Sequence, residues 1–136
     1  MKVSKFGPRA LALALVMSGA IAGPALALDA GDAVAGAKVF KKCMACHSIV
    51  AADGNKIGPN LHGLIGRKVG TAEGFNYSDV MKAAGEAGTV WDEATIEKYL
   101  RDPKTFMPKN KMAFAGIKKD ADLANVLAYL KEASAK

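Results

Sequence analysis

Apolar residues recur at helical spacing in three stretches of this chain. Leu123, Val126, Leu127 and Leu130 form one stripe between Asp120 and Ala133, with Tyr129 beside it, which is the signature of an amphipathic helix. Asp92 reads as the cap of a second helix running through Arg101, with Ile96, Tyr99 and Leu100 inward and Pro103 as its stop. Asp32 caps a third, from Ala33 to Lys42, in which Gly36, Val39 and Phe40 make a face suited to close helix packing. Ser78 reads as the N-cap of a short helix over Asp79 to Ala84, closed by Gly85 and Gly88.

The remainder reads as loop. Ser48 to about Asn76 is punctuated by Gly54, Gly58-Pro59, Gly63, Gly66, Gly70 and Gly74, and Thr105 to Lys119 carries Met107-Pro108 and Met112. No alternating run is long enough for a strand, and no repeat is visible. The expected fold is all-α, with a few helices, long loops, and the first and last helices packed together. Loops this long in a small domain argue against a plain helical bundle. They make sense if they wrap a bound group.

The start of the chain follows a different pattern. Lys2, Lys5 and Arg9 precede a nearly unbroken apolar run from Ala10 to Ile21, and Pro24 then precedes Ala25-Leu26-Ala27. This is the layout of a secretory signal peptide, with cleavage expected after Ala27. The run is short for a membrane span, which needs about 20 apolar residues. Residues 1–27 are thus read as a leader and 28–136 as one domain, destined for the periplasm. The net charge of +6 falls to about +3 once the three leader cations are removed. A domain of this size buries a modest core, so a buried cofactor would add apolar surface that the sequence lacks.

The chain has two cysteines, both in Cys43-Met44-Ala45-Cys46-His47. C-x-x-C-H marks covalent haem attachment. Two thiols three apart on a tight turn can each add to a vinyl group, and the next imidazole then reaches the iron from the same side. A thioredoxin-like dithiol would want a βαβ setting that is not visible. A zinc site needs four well-placed ligands, and adjacent Cys46 and His47 would chelate one tetrahedral ion poorly. A disulfide would close a tiny loop and add little stability. The sixth iron position is open to several residues on these grounds. Met44 lies inside the attachment turn, Met81 on a short helix fits packing, and Met107, Met112 and His62 all sit in loops. A lone methionine is most often core filler.

Taken in order, several segments resemble the class I cytochrome c family, near the mitochondrial proteins and the electron carriers of purple bacteria. They are the haem turn, Gly58 to Gly63, Gly66-Arg67-Lys68, Gly74 to Ser78, Trp91, Tyr99-Leu100, Lys111 to Lys119 and Ala128 to Lys131. The resemblance covers residues 31–136. It implies one covalent haem c on Cys43 and Cys46, with His47 and Met112 as axial ligands, the latter from the match at Lys111-Met112-Ala113-Phe114. Pro59 resembles the proline whose carbonyl accepts from the ligand histidine, a bond that fixes tautomer and basicity. Arg67, Tyr77 and Trp91 resemble partners of the haem propionates, and Tyr99 the tyrosine near the methionine sulfur. Met107 matches a packing residue, and His62 a position that does not bind iron. Three features depart from the mitochondrial pattern, one being that Phe40 lies three before Cys43, one residue closer. The Phe75–Trp91 segment is longer, and Met81 and Asn110 replace other polar residues near the haem.

Two filled axial positions leave no site for substrate, so the resemblance implies an electron carrier and not an enzyme such as a peroxidase. A haem motif near the mature N-terminus also differs from the C-terminal motif of four-helix gas-binding cytochromes. Methionine sulfur raises the haem potential. Lys41 and Lys42 precede the haem cysteines, and Lys56, Lys104, Lys109, Lys111, Lys118 and Lys119 fall in segments that surround the exposed haem edge in the family, whereas Glu86, Asp92, Glu93 and Glu97 group elsewhere. A basic face steers encounters with acidic partners. The expected partners are a cytochrome bc-type donor and an oxidase or reaction-centre acceptor, met transiently by a monomer, with no role in nucleic-acid binding.

Overall fold

In the computed structural model, which describes residues 30–136, Asp32 opens helix α1 (Ala33–Phe40). Its carboxylate accepts from the amides of Val34 at 2.8 Å and Ala35 at 3.3 Å, satisfying donors that a helix start leaves unpaired. The expected leader at residues 1–27 lies outside the described part. Helix α2 spans Asp79–Glu86, α3 Glu93–Arg101, α4 Pro103–Phe106 and α5 Asp120–Ala133, with one 3-10 turn at Ala51–Asp53. There are no strands among the described residues, only an isolated antiparallel bridge between Lys68 and Val90. No helix among them is long and apolar enough to cross a membrane.

The first and last helices pack together as expected, and glycine makes the contact possible. A Cβ built on Gly36 would overlap the main-chain carbonyl of Asn125 and stand 2.8 Å from the Tyr129 Cβ. The Asn125 side chain accepts from the Asp32 amide at 2.8 Å. Phe40 and Tyr129 stack with centroids 5.0 Å apart. On α5, Leu123, Val126, Leu127 and Leu130 are all buried. Its first turn carries Asp120 and Asp122, which favours the positive end of the helix dipole.

Four boundaries differ from the sequence reading. Helix α1 stops at Phe40, not Lys42, because the chain tightens: Lys42 and Cys43 donate to Val39 and Phe40, three residues back. Helix α2 runs past Ala84 to Glu86 with Gly85 inside it. That glycine is buried against the Val69 carbonyl, where a side chain would not fit. The true stop is Gly88 at φ +91, where Gly88 and Thr89 donate to Gly85 and Ala84, a Schellman closure. Pro103 ends α3 but also begins α4, capped by Asp102 accepting from Thr105 at 3.1 Å. Thr105 and Phe106 are therefore helical. Proline suits a first helical position because its missing N–H would be unpaired there anyway. Finally, Ala51–Asp53, read as loop, forms a 3-10 turn.

Candidate functional site

The amides of Cys46 and His47 both donate to the carbonyl of Cys43, at 3.0 and 2.9 Å. One acceptor thus folds the whole Cys43–His47 turn. It brings both sulfurs and the imidazole to a single cavity, lined also by Phe40, Leu64, Trp91 and Leu130. The turn follows α1 directly, so the α1–α5 packing sets its position.

The His47 ring is fixed from two sides. Its Nδ1 lies 2.7 Å from the Pro59 carbonyl. A carbonyl can only accept, so Nδ1 carries the proton and Nε2 keeps its lone pair. Gly58 presses on the ring face: a Cβ there would sit 2.7 Å from Nδ1 and 2.9 Å from Nε2. Burial lowers the His47 pKa, opposed by the Pro59 bond, which favours the neutral imidazole that a metal requires. Burial raises the Cys43 pKa, with the Lys42 charge acting against it. We expect Gly58→Ala to push the ring aside and cut the yield of haem-loaded protein severalfold, read as haem absorbance per unit protein. An unchanged yield would show that the ring tolerates displacement.

Of the three loop residues left open as sixth ligands, only Met112 lines the cavity. Met107 is 4 % exposed and packs in the core. His62 stands apart, its Nδ1 buried without a partner. Met81, on α2, also lines the cavity and is 7 % exposed. Tyr99 lines it from α3 and stacks on Trp91 with centroids 5.1 Å apart, and its burial raises its pKa strongly.

A second group of polar residues meets on the same cavity. Main-chain bonds Gly66 N to Trp91 O and Trp91 N to Arg67 O, both 2.9 Å, hold Arg67 and Trp91 side by side. Arg67 donates through its terminal nitrogens to His62 O at 3.0 Å and Asn60 O at 3.1 Å. Its Nε is buried with no partner. Tyr77 lines the cavity, its hydroxyl accepting a long 3.3 Å bond from Ala72 N, so its own proton stays available. Burial raises the Tyr77 pKa, with the Ala72 bond and the Arg67 charge acting against it. Ser78 holds the N-cap position of α2 yet makes no capping bond. Its Oγ is buried, unpartnered and on the cavity wall. Buried polar groups without partners are rare. Two of them, Arg67 Nε and Ser78 Oγ, on a largely apolar cavity fit a group that is apolar in its body and acidic at one edge. A haem with its propionates is such a group, and two cysteines and a neutral histidine meet its other needs.

Sequence reasoning missed two residues here. Ser78 was read only as a cap. Asn110 was noted only as a departure, yet its side chain accepts from the Met112 amide at 2.8 Å. All eight lysines expected on the partner-facing surface are exposed. Lys42 and Lys111 line the cavity, and Lys109 and Lys111 an adjoining groove. Lys118 instead donates to Arg101 O at 3.0 Å and lies 3.9 Å from Asp102.

The "Cytochrome c" family model matches residues 33–134. The chain is 52 % identical over 107 residues to a cytochrome c of Chlamydomonas reinhardtii, covering 78 % of this chain and 93 % of that one. It is 43 % identical over 127 residues to a cytochrome c2 of Blastochloris viridis, covering 93 % and 95 %. Among solved structures, cytochrome c2 from Rhodospirillum centenum superposes with a TM-score of 0.71 at 42 % identity, covering 75 % of this chain and 98 % of that one. The all-helical fold, the Cys43–His47 turn on its cavity and the family match together place the chain in the cytochrome c family, electron carriers that hold one covalent haem c.

Proposed function

We propose that this chain is an exported, soluble carrier that moves one electron at a time between a cytochrome bc-type complex and a terminal oxidase or photosynthetic reaction centre in the periplasm. The observation that carries the reading is that His47 and Met112, from separate segments, line one largely apolar cavity. The haem supplies a one-electron couple at its iron, and the chain's residues set its terms. Cys43 and Cys46 hold it by thioethers. His47, its Nδ1 proton given to Pro59, offers Nε2 to the iron. Met112 would offer a soft sulfur, which favours the ferrous state. Arg67 Nε, Ser78 Oγ, Tyr77 and Trp91 would meet the propionates, which would otherwise be costly to bury. With His47 and Met112 both supplied by the chain, no protein group would have to move far when the charge changes.

The cavity mouth supports contact with large partners. Ile57 lines it and is 79 % exposed, with Lys42 and Lys111 beside it. Two of the four acids grouped apart from these lysines are paired elsewhere: Glu93 with Lys131 at 2.7 Å, and Glu97 with Arg101 at 3.5 Å, which also holds Asp120 at 2.8 Å. Among the described residues, Lys118 is the only one of the eight lysines with an acidic partner within 4 Å. Such a surface attracts acidic docking sites over about a Debye length, roughly 8 Å at physiological salt. The resulting complexes are small and short-lived. Export is supported by the Blastochloris viridis likeness, whose span of 127 residues necessarily includes part of the leader.

The test uses the holoprotein from its own host. It should be recovered in the periplasmic fraction and start after Ala27. Its oxidation by host membranes should slow several-fold between low and physiological salt. A cytoplasmic location, or a rate indifferent to salt, would overturn the reading.

A further inference from the structure

We propose that Asn110 is the positioning residue of the Met112 segment: its side chain clamps the segment to α3 and α4 and sets how readily an outside ligand displaces Met112. The inference rests on the reading of Met112 as the sixth ligand.

A primary amide offers two donors and an acceptor oxygen with two lone pairs, and Asn110 uses all four. Its Nδ2 donates to Pro103 O at 2.8 Å and to Met107 O at 2.7 Å. Its Oδ1 accepts from the Met112 amide at 2.8 Å and from the Tyr99 hydroxyl at 3.3 Å. One side chain thus joins α3, the start of α4, the end of α4 and the residue that carries the sulfur. A carboxylate would lack the two donors, and an aliphatic side chain all four bonds. Serine or threonine would be too short to reach every partner.

Few other hydrogen bonds hold this segment: Lys111 Nζ donates to Asn76 O at 2.8 Å and Lys118 Nζ to Arg101 O at 3.0 Å. The segment has no regular structure between Asn110 and Lys119. Of the main-chain amides from Lys111 to Gly116, Met112's alone has an acceptor among the described residues, and that acceptor is Asn110. The next anchor is Ile117 N on Leu100 O at 2.8 Å. Just before the clamp, Lys109 takes φ +67, the only non-glycine residue with positive φ among those described. That left-handed geometry crowds a side chain and strains the loop. The Asn110 bonds hold the closed arrangement against this strain. Asn110 also accepts from the Tyr99 hydroxyl, so that Tyr99 lines the cavity with its hydroxyl proton already committed.

The clamp is tested by titrating the ferric holoprotein with imidazole, which competes for the position held by Met112. Several lost hydrogen bonds should lower the half-saturating concentration at least about tenfold in Asn110→Ala, and one lost bond about threefold in Tyr99→Phe. Leu123→Ala, in the buried face of α5 and not on the cavity wall, controls for general loosening. It should lower the denaturant midpoint yet leave half-saturation within about twofold. If Asn110→Ala does not retain haem, Asn110→Ser and Tyr99→Phe carry the same comparison. Half-saturation unchanged in the Asn110 and Tyr99 variants, or shifted equally in Leu123→Ala, overturns the clamp. Met112→Ala separates the two readings by the weak far-red iron–sulfur band of the ferric protein. Loss of that band with an unchanged Asn110 variant defeats the clamp alone. Persistence of the band defeats the ligand assignment on which the clamp rests.

Discussion

Replacing Gly36 with valine should destabilise the holoprotein by about 3 kcal/mol or more, the upper end for forcing extra atoms into a packed interior. At this size that is a fall in Tm on the order of 15 °C. The reason is the identity of the neighbour. The missing Cβ would overlap the Asn125 carbonyl, which is main chain of α5 and cannot rotate away. Relief requires α1 and α5 to separate. That would open the Phe40–Tyr129 contact and shift the Cys43–His47 turn, which follows α1 within three residues. Gly36→Ala gives the sharper sign test. In an exposed helix the change would stabilise by about 1 kcal/mol through helix propensity. Here the overlap should win and Tm should fall. Thermal melts of both variants decide the matter, and an unchanged or raised Tm for Gly36→Ala would show that the helices do not close on this glycine.

The same residue illustrates how much of the molecule could be read beforehand. Gly36, Val39 and Phe40 at helical spacing, and the apolar stripe from Leu123 to Leu130, already implied a tight pair of terminal helices, because both signals are local and periodic. The haem turn was legible because its chemistry fits within five residues. What local pattern could not carry was long-range. The pairing of Gly66 and Arg67 with Trp91 rests on two main-chain bonds without a strand on either side, so no alternation marks it. It nevertheless places Arg67 and Trp91 on the cavity. Ser78 does hold the N-cap position its sequence signals, but nothing local shows that its hydroxyl makes no capping bond and is instead buried without a partner on a cavity-lining residue. Pro103 was read only for what it ends, although the same fixed φ that ends α3 suits the first position of α4. Asn110 could not be distinguished from any loop asparagine, since its four partners are defined only once α3 and α4 are in place. The resemblance ranked Met112 above Met107 and His62, and of these three only Met112 lines the cavity.

Met112→Ala should abolish the far-red iron–sulfur band of the ferric protein and lower the reduction potential by on the order of 0.2 V, a fraction of the ~0.8 V that axial ligands span. Two effects act in the same direction. The soft sulfur that favours ferrous iron is gone. The space left by its side chain also admits water to the cavity, which eases the extra positive charge of the ferric state. The variant should additionally bind added imidazole or carbon monoxide without competition from a side chain. Potentiometry together with the ferric spectrum measures both results on one sample. Met81 makes the experiment decisive, because it also lines the cavity from α2 and carries the same thioether. Met81→Ala should keep the band and change the potential far less, since its side chain then serves only as packing. The reverse pattern would move the sixth ligand from the loop to α2. Loss of the band in Met112→Ala without a fall in potential would mean that burial, and not sulfur, sets the driving force for electron transfer.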